Sequence, residues 1–129
     1  MAFIKTQADI AARLLDPPIK QLYNDLTSTR NGITAFAGGG QTSAVQLTQA
    51  VSRVTTVASA ADSVKLPPAV PGVSLVVVNA AAANSMNVFP SSGHAVNALS
   101  ADAAFAMAAN TTALFVCAVA GTWNAIVTA

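Results

Sequence analysis

From Gln41 onward the chain alternates. Short apolar runs of period two recur between turn residues, which predicts strands near 44–48, 53–57, 62–66, 73–79, 84–89, 94–99, 103–108, 112–119 and 122–127. Turn signals separate them at Pro67-Pro68, Pro71-Gly72, Asn79 to Asn84, Pro90 to Gly93, Ala109-Asn110 and Ala120-Gly121. Strands at about ten-residue spacing predict an antiparallel β-sandwich, jelly-roll-like in its connections. In 73–79, Val73, Leu75 and Val77 face one way while Val76 and Val78 face the other. In 112–119, Leu114, Val116 and Ala118 alternate with Phe115, Cys117 and Val119. Both faces of these two strands are apolar, whereas a small sandwich should leave one face polar. The pattern therefore predicts a second covering layer supplied by another chain.

Before Gln41 the period differs. Thr6 and Asp9 resemble a capping box, which starts a predicted helix over 7–15. Asp16 is a good N-cap for a second helix, with Pro17 at its first position. Ile19, Leu22, Tyr23 and Leu26 follow at i, i+3, i+4 and i+7, on one helical face. Asn31-Gly32 reads as the stop. So short a helix is not stable alone in water, so its apolar stripe must dock on something: the chain's own β domain, a symmetry mate or a different protein. Ile10, Leu14, Ile19, Leu22, Tyr23 and Leu26 are the candidate protein-contact residues. Gly38-Gly39-Gly40 marks a boundary and lacks the Lys-Ser/Thr that follows a phosphate-binding loop. The expected organisation is a helical arm (1–37), a glycine hinge (38–40) and a β-sandwich domain (41–129), mainly β with a short α-helical N-terminal region.

Charge sharpens the division. Residues 31–129 hold only Arg53, Asp62, Lys65 and Asp102, while the first thirty hold the other seven charged side chains. An ordinary domain is roughly 25% charged, against 9% here. Such a chain aggregates, enters a membrane, or is covered by protein. Residues 103–121 carry no charge and match a membrane helix in length, but Asn110, Thr111 and Thr112 sit mid-run, which fits two strands and a turn better. Lys5, Asp9 and Arg13 interrupt any signal-peptide core. A net charge of +1, with acids and bases interleaved, gives no basic face for nucleic acid. Neither membrane nor nucleic acid is an expected partner.

The inventory for chemistry is thin. Cys117 is the single cysteine and sits in an apolar run, which reads as a buried inert thiol and rules out an intrachain disulfide. His94 is the single histidine, in a turn with no carboxylate near it in sequence, and a hydrolase would rest on it alone. One His and scattered Asp do not make a metal site. The expectation is a non-enzyme with no catalytic residue, cofactor or metal. Trp123 reads as the residue that closes one end of the sandwich.

Residues 62–126 carry a resemblance. A Val-Lys-Leu-Pro strand leads to a Pro-Gly turn, then a Val-rich strand ending in Asn79 and an Ala-Asn-Ser turn. A strand ending in Phe89-Pro90, a Ser-Gly turn, an Asn97-Ala98-Leu99 strand and a closing Gly-x-Trp follow. This resembles the small β domain of tailed-bacteriophage structural proteins, including capsid decoration (cement, head-fibre) proteins and parts of tail fibres. The resemblance implies an all-β, often trimeric protein that binds other virion proteins. It implies a homotrimer bound to the major capsid protein on the capsid exterior, made in the host cytoplasm. A tail-fibre or tail-spike component involved in host attachment is the alternative.

Overall fold

A computed structural model of the chain describes residues 20, 21, 24, 27–38 and 40–128. The predicted helices and the boundaries of the arm before residue 27 fall outside these, apart from Lys20, Gln21 and Asn24. Among the described residues the chain forms ten strands. They are β1 (Thr29–Thr34), β2 (Val45–Gln46), β3 (Val51–Thr56), β4 (Ser63–Lys65), β5 (Ser74–Asn79), β6 (Met86–Phe89), β7 (Ala95–Val96), β8 (Phe105–Met107), β9 (Thr111–Val119) and β10 (Thr122–Val127). All nine strands expected from the alternation overlap an observed one. β1 was not expected, because its Asn31-Gly32 reads as a helix stop.

The expected antiparallel, jelly-roll-like sandwich does not form. The larger sheet has the order β1-β3-β5-β9-β10-β7 and the smaller β2-β4-β6-β8. β1, β3 and β5 run parallel, as do β2, β4 and β6. The chain passes from one sheet to the other and back, so that each coil adds one strand to each. Thr29 lies opposite Val51 and Val51 opposite Val76, so successive coils lie 22 and 25 residues apart in sequence. These stacked parallel coils resemble a β-solenoid. The expectation failed for a physical reason. Alternation reports which face of a strand is buried, and it is the same for parallel and antiparallel neighbours. A turn signal every ten residues fits a hairpin, but equally fits a corner that carries the chain across to the opposite sheet.

The stack ends in an antiparallel cap. β8 pairs with β6, with Met107 opposite Met86, and β9 pairs with β5, with Phe115 opposite Leu75. β10 returns along β9 through a turn where Gly121 takes φ +85°, and β7 lies parallel on its far edge. At the other end β1 is bulged. Arg30 faces Ser52 and Ile33 faces Val54, which leaves Asn31 and Gly32 together opposite Arg53. Gly32 takes φ +78°, and Arg53 Nη1 donates to Asn31 Oδ1 at 3.0 Å. A glycine accepts that left-handed geometry without the steric cost of a side chain.

The core lies between the sheets. Val54, Val77, Phe115 and Trp123 of the larger sheet meet Val64, Met86, Val88 and Met107 of the smaller. Phe105 and Phe115 pack edge-to-face with centroids 5.7 Å apart, a favoured arrangement for two aromatic quadrupoles. Cys117 is buried, with its thiol directed at the Val119 carbonyl. No helix among the described residues is long and apolar enough to cross a membrane.

Candidate docking face

β9 buries Ala113, Phe115 and Cys117 and turns Leu114 and Val116 outward. Strand pairing extends these outward residues into rows across the larger sheet. Ile126 lies opposite Leu114, Leu114 opposite Val76 and Val76 opposite Val51. A second row joins Asn124, Val116 and Ser74. Ile126 is 70% exposed, Leu114 41% and Val116 37%. Val76 and Val51 are half-buried. Aliphatic side chains do occur singly on surfaces, but a contiguous apolar patch marks an interaction site. These rows hold no charged side chain. Arg53 lies further along β3 and is bonded to Asn31. The second apolar face seen in the sequence is therefore this outer face.

A cleft of about 120 Å³ opens at one end of the second row. Its walls include Ala50 from the corner before β3, Pro67 and Val73 from the corner before β5, and Ser74 and Leu75 from the start of β5. Ser74 belongs both to the cleft and to the outward row. Gln49 also lines it, and its Oε1 is buried without a hydrogen-bond donor among the described residues. No sequence signal marks this cleft, because the two corners that form it are 17 or more residues apart in the chain.

The polar residues weighed for chemistry serve the turns. Asp102 Oδ1 accepts from Gly93 N at 2.7 Å and from Gln41 Nε2 at 2.9 Å. Those two bonds, the backbone one foremost, hold its carboxyl below the usual aspartate range. His94 Nδ1 accepts from Ala69 N at 3.1 Å, so that nitrogen carries no proton in this arrangement. Asp62 is buried and accepts from Ser59 N at 3.0 Å within its own turn. Among the described residues no three His, Cys, Asp or Glu side chains come together as a metal site would require. Gly38 and Gly40 lie in the connection between β1 and β2, with positive φ of 92° and 109°. The sequence-based contact residues Ile10, Leu14, Ile19, Leu22, Tyr23 and Leu26 all lie outside the described residues.

No family model matches the chain, and no curated protein or solved structure matches it either.

Proposed function

We propose that the chain is a structural virion protein that decorates a tailed-bacteriophage capsid, binding the major capsid protein and stabilising the shell, and that it acts as a homotrimer without enzymatic activity. The observation that carries a binding role is the charge-free aliphatic face of Ile126, Leu114, Val116 and Val76. The likeness of residues 62–126 to phage structural domains supplies the virion assignment. Burial of apolar surface contributes roughly 25 cal/mol per Å². A protein seated across subunit junctions would add such terms to the shell and oppose outward pressure from packaged DNA. The apolar positions of the N-terminal arm, Ile10 to Leu26, are a proposed second contact.

One observation favours a tail-fibre component instead. Parallel coils stack by repetition, as a shaft does. Against it, antiparallel β8 and β9 end the stack after three coils.

Purified protein added to undecorated capsids separates the readings. Decoration requires saturable co-sedimentation at many copies per shell. Gold-labelled protein found only at tail tips would support the fibre reading and overturn decoration.

A further inference from the structure

The bulge in β1 sets a reactive pair at the surface. Asn31-Gly32 is the one Asn-Gly pair in the chain; the other seven asparagines precede Asp, Ala, Ser, Val or Thr. The amide carbon of an asparagine is open to attack by the backbone nitrogen of the residue that follows. Glycine hinders this least, because it has no side chain and turns through conformations closed to other residues. Both residues are exposed. Gly32 has φ +78°, and among the described residues nothing beyond its chain neighbours lies within 4 Å of where a side chain there would begin. A regular ladder would pin this backbone. The bulge places Asn31 and Gly32 together opposite Arg53 and interrupts the ladder at that point. Arg53 supplies the other half. Its Nη1 donates to Asn31 Oδ1 at 3.0 Å, the oxygen that gains negative charge when Cγ is attacked. A cationic donor already set on that oxygen stabilises the charge as it develops.

We propose that Asn31 is a self-modification site, converted through a succinimide with Gly32 to aspartate and isoaspartate, with Arg53 as the donor to the developing oxyanion. The site stands whether or not the chain decorates a capsid. In the first step Gly32 N gives up its proton to solvent base and bonds to Asn31 Cγ. The Cγ–Nδ2 bond breaks and ammonia leaves, which closes a five-membered ring. In the second step water opens the ring. Attack at Cγ restores the ordinary backbone with aspartate at 31, and attack at the backbone carbonyl leaves the chain running through the side-chain carbon as isoaspartate. One water is consumed and one ammonia released, with no oxidation or reduction. Either product sets a carboxylate near Arg53 and lowers the formal net charge from +1 to zero. In a region with four charged side chains, this cancels the cation of the larger sheet.

The test uses the full chain, held folded at mildly alkaline pH and sampled over weeks. Trypsin cuts after Arg30 and Arg53 and releases residues 31–53, in which Asn31 is the sole asparagine. That peptide should gain about one dalton with time, as an amide NH2 gives way to OH. Part of it should accept a labelled methyl group from an isoaspartyl methyltransferase. Asn31→Gln should show neither change, because its longer side chain would have to close a six-membered ring. Arg53→Met removes the donor and keeps an unbranched exposed side chain; its peptide runs to Lys65 and still holds Asn31 as the sole asparagine. Conversion should be several-fold slower in this variant when folded, as checked by circular dichroism. In strong urea the two chains should convert alike, because no fold then holds the guanidinium on Oδ1. An unaltered folded chain whose 31–53 peptide stays at its starting mass would overturn the site. Folded Arg53→Met converting as fast as the unaltered chain, or faster, would overturn the role of Arg53, as would the same slowing in urea.

Discussion

The Asn79 side chain donates to the Met107 carbonyl at 3.1 Å, and so joins the end of β5 in the larger sheet to β8 in the smaller. Its amide nitrogen also donates to the Asn84 carbonyl at 3.2 Å, and its Oδ1 accepts from Ala81 N at 3.2 Å. The residue is fully buried, and these bonds use both donors and the acceptor oxygen. It holds the last parallel coil to the strand that caps it.

Asn79→Asp should therefore be among the most damaging isosteric changes in the chain. It sets a carboxylate against two carbonyl oxygens and removes both donors. Loss of about 3 kcal/mol or more at neutral pH follows from burying an unpaired charge. Burial without a cation raises the folded-state pKa of the new carboxyl. The penalty is therefore full above that raised value and shrinks as pH falls and the acid regains a donor. Urea midpoints at pH 7 and pH 4.5 check this: the gap from the unaltered protein should narrow at the lower pH.

Trp123 anchors the other end of the core. It is fully buried, and its Nε1 donates to the Pro67 carbonyl at 3.3 Å, across to the corner between β4 and β5. Trp123→Phe keeps most of the apolar volume and should cost about 1–2 kcal/mol, from the lost bond and a small cavity. Trp123→Ala should cost about 3–5 kcal/mol. Equilibrium urea unfolding followed by circular dichroism should order the three proteins accordingly, and equal midpoints for Phe and Ala would contradict this packing.

These two residues show how far the sequence could be read. Alternation located the strands and sorted β9 into Leu114, Val116 and Ala118 against Phe115, Cys117 and Val119. With both sets apolar it did not say which faces the core; Phe115 and Cys117 are buried, while Val119 is 67% exposed. It also flagged the second apolar face. The burial of Trp123 was legible from size and place. Strand direction was not, since Val51 facing Val76 in parallel depends on a crossover through the smaller sheet that local pattern does not encode. The bulge hid β1, because Asn31-Gly32 is as good a helix stop as it is a bulge. Asn79 looked like a turn residue, and only the cap brings Met107 to it. The cleft beside Gln49 is likewise a product of stacking.

Ser52 offers a change in the stabilising direction. It faces inward from β3, is 1% exposed, and its hydroxyl has no hydrogen-bond partner among the described residues. Burying a hydroxyl without a partner costs roughly 1–3 kcal/mol by protein mutational measures. Ser52→Ala removes that cost and loses little volume. A gain of about 1 kcal/mol is expected, which raises Tm by roughly 2–8 °C in a domain of this size. Differential scanning calorimetry decides it, and a lower Tm for the variant would mean that the hydroxyl is satisfied.

Asp102 predicts the shape of the acid limb. Its carboxylate gathers Gly93 N and Gln41 Nε2, and so ties the turn after β6 to the connection between β1 and β2. The Gly93 bond, then the Gln41 bond, lower its folded-state pKa. A depressed carboxyl contributes stability that is fully present above the unfolded value of about 3.9 and is lost as pH falls through the folded one. This group should therefore leave stability unchanged between about pH 7 and 5, and weaken it below about pH 4. Asp102→Asn keeps an acceptor oxygen, and Asn tolerates the positive φ of 65° found there. It has no charge to titrate. The variant should be less stable than the unaltered protein at pH 7 and should converge on it as pH falls below 4. Urea midpoints from pH 2.5 to 7 test the sign, because a gap that widened on acidification would mean that the carboxylate is not held by these donors.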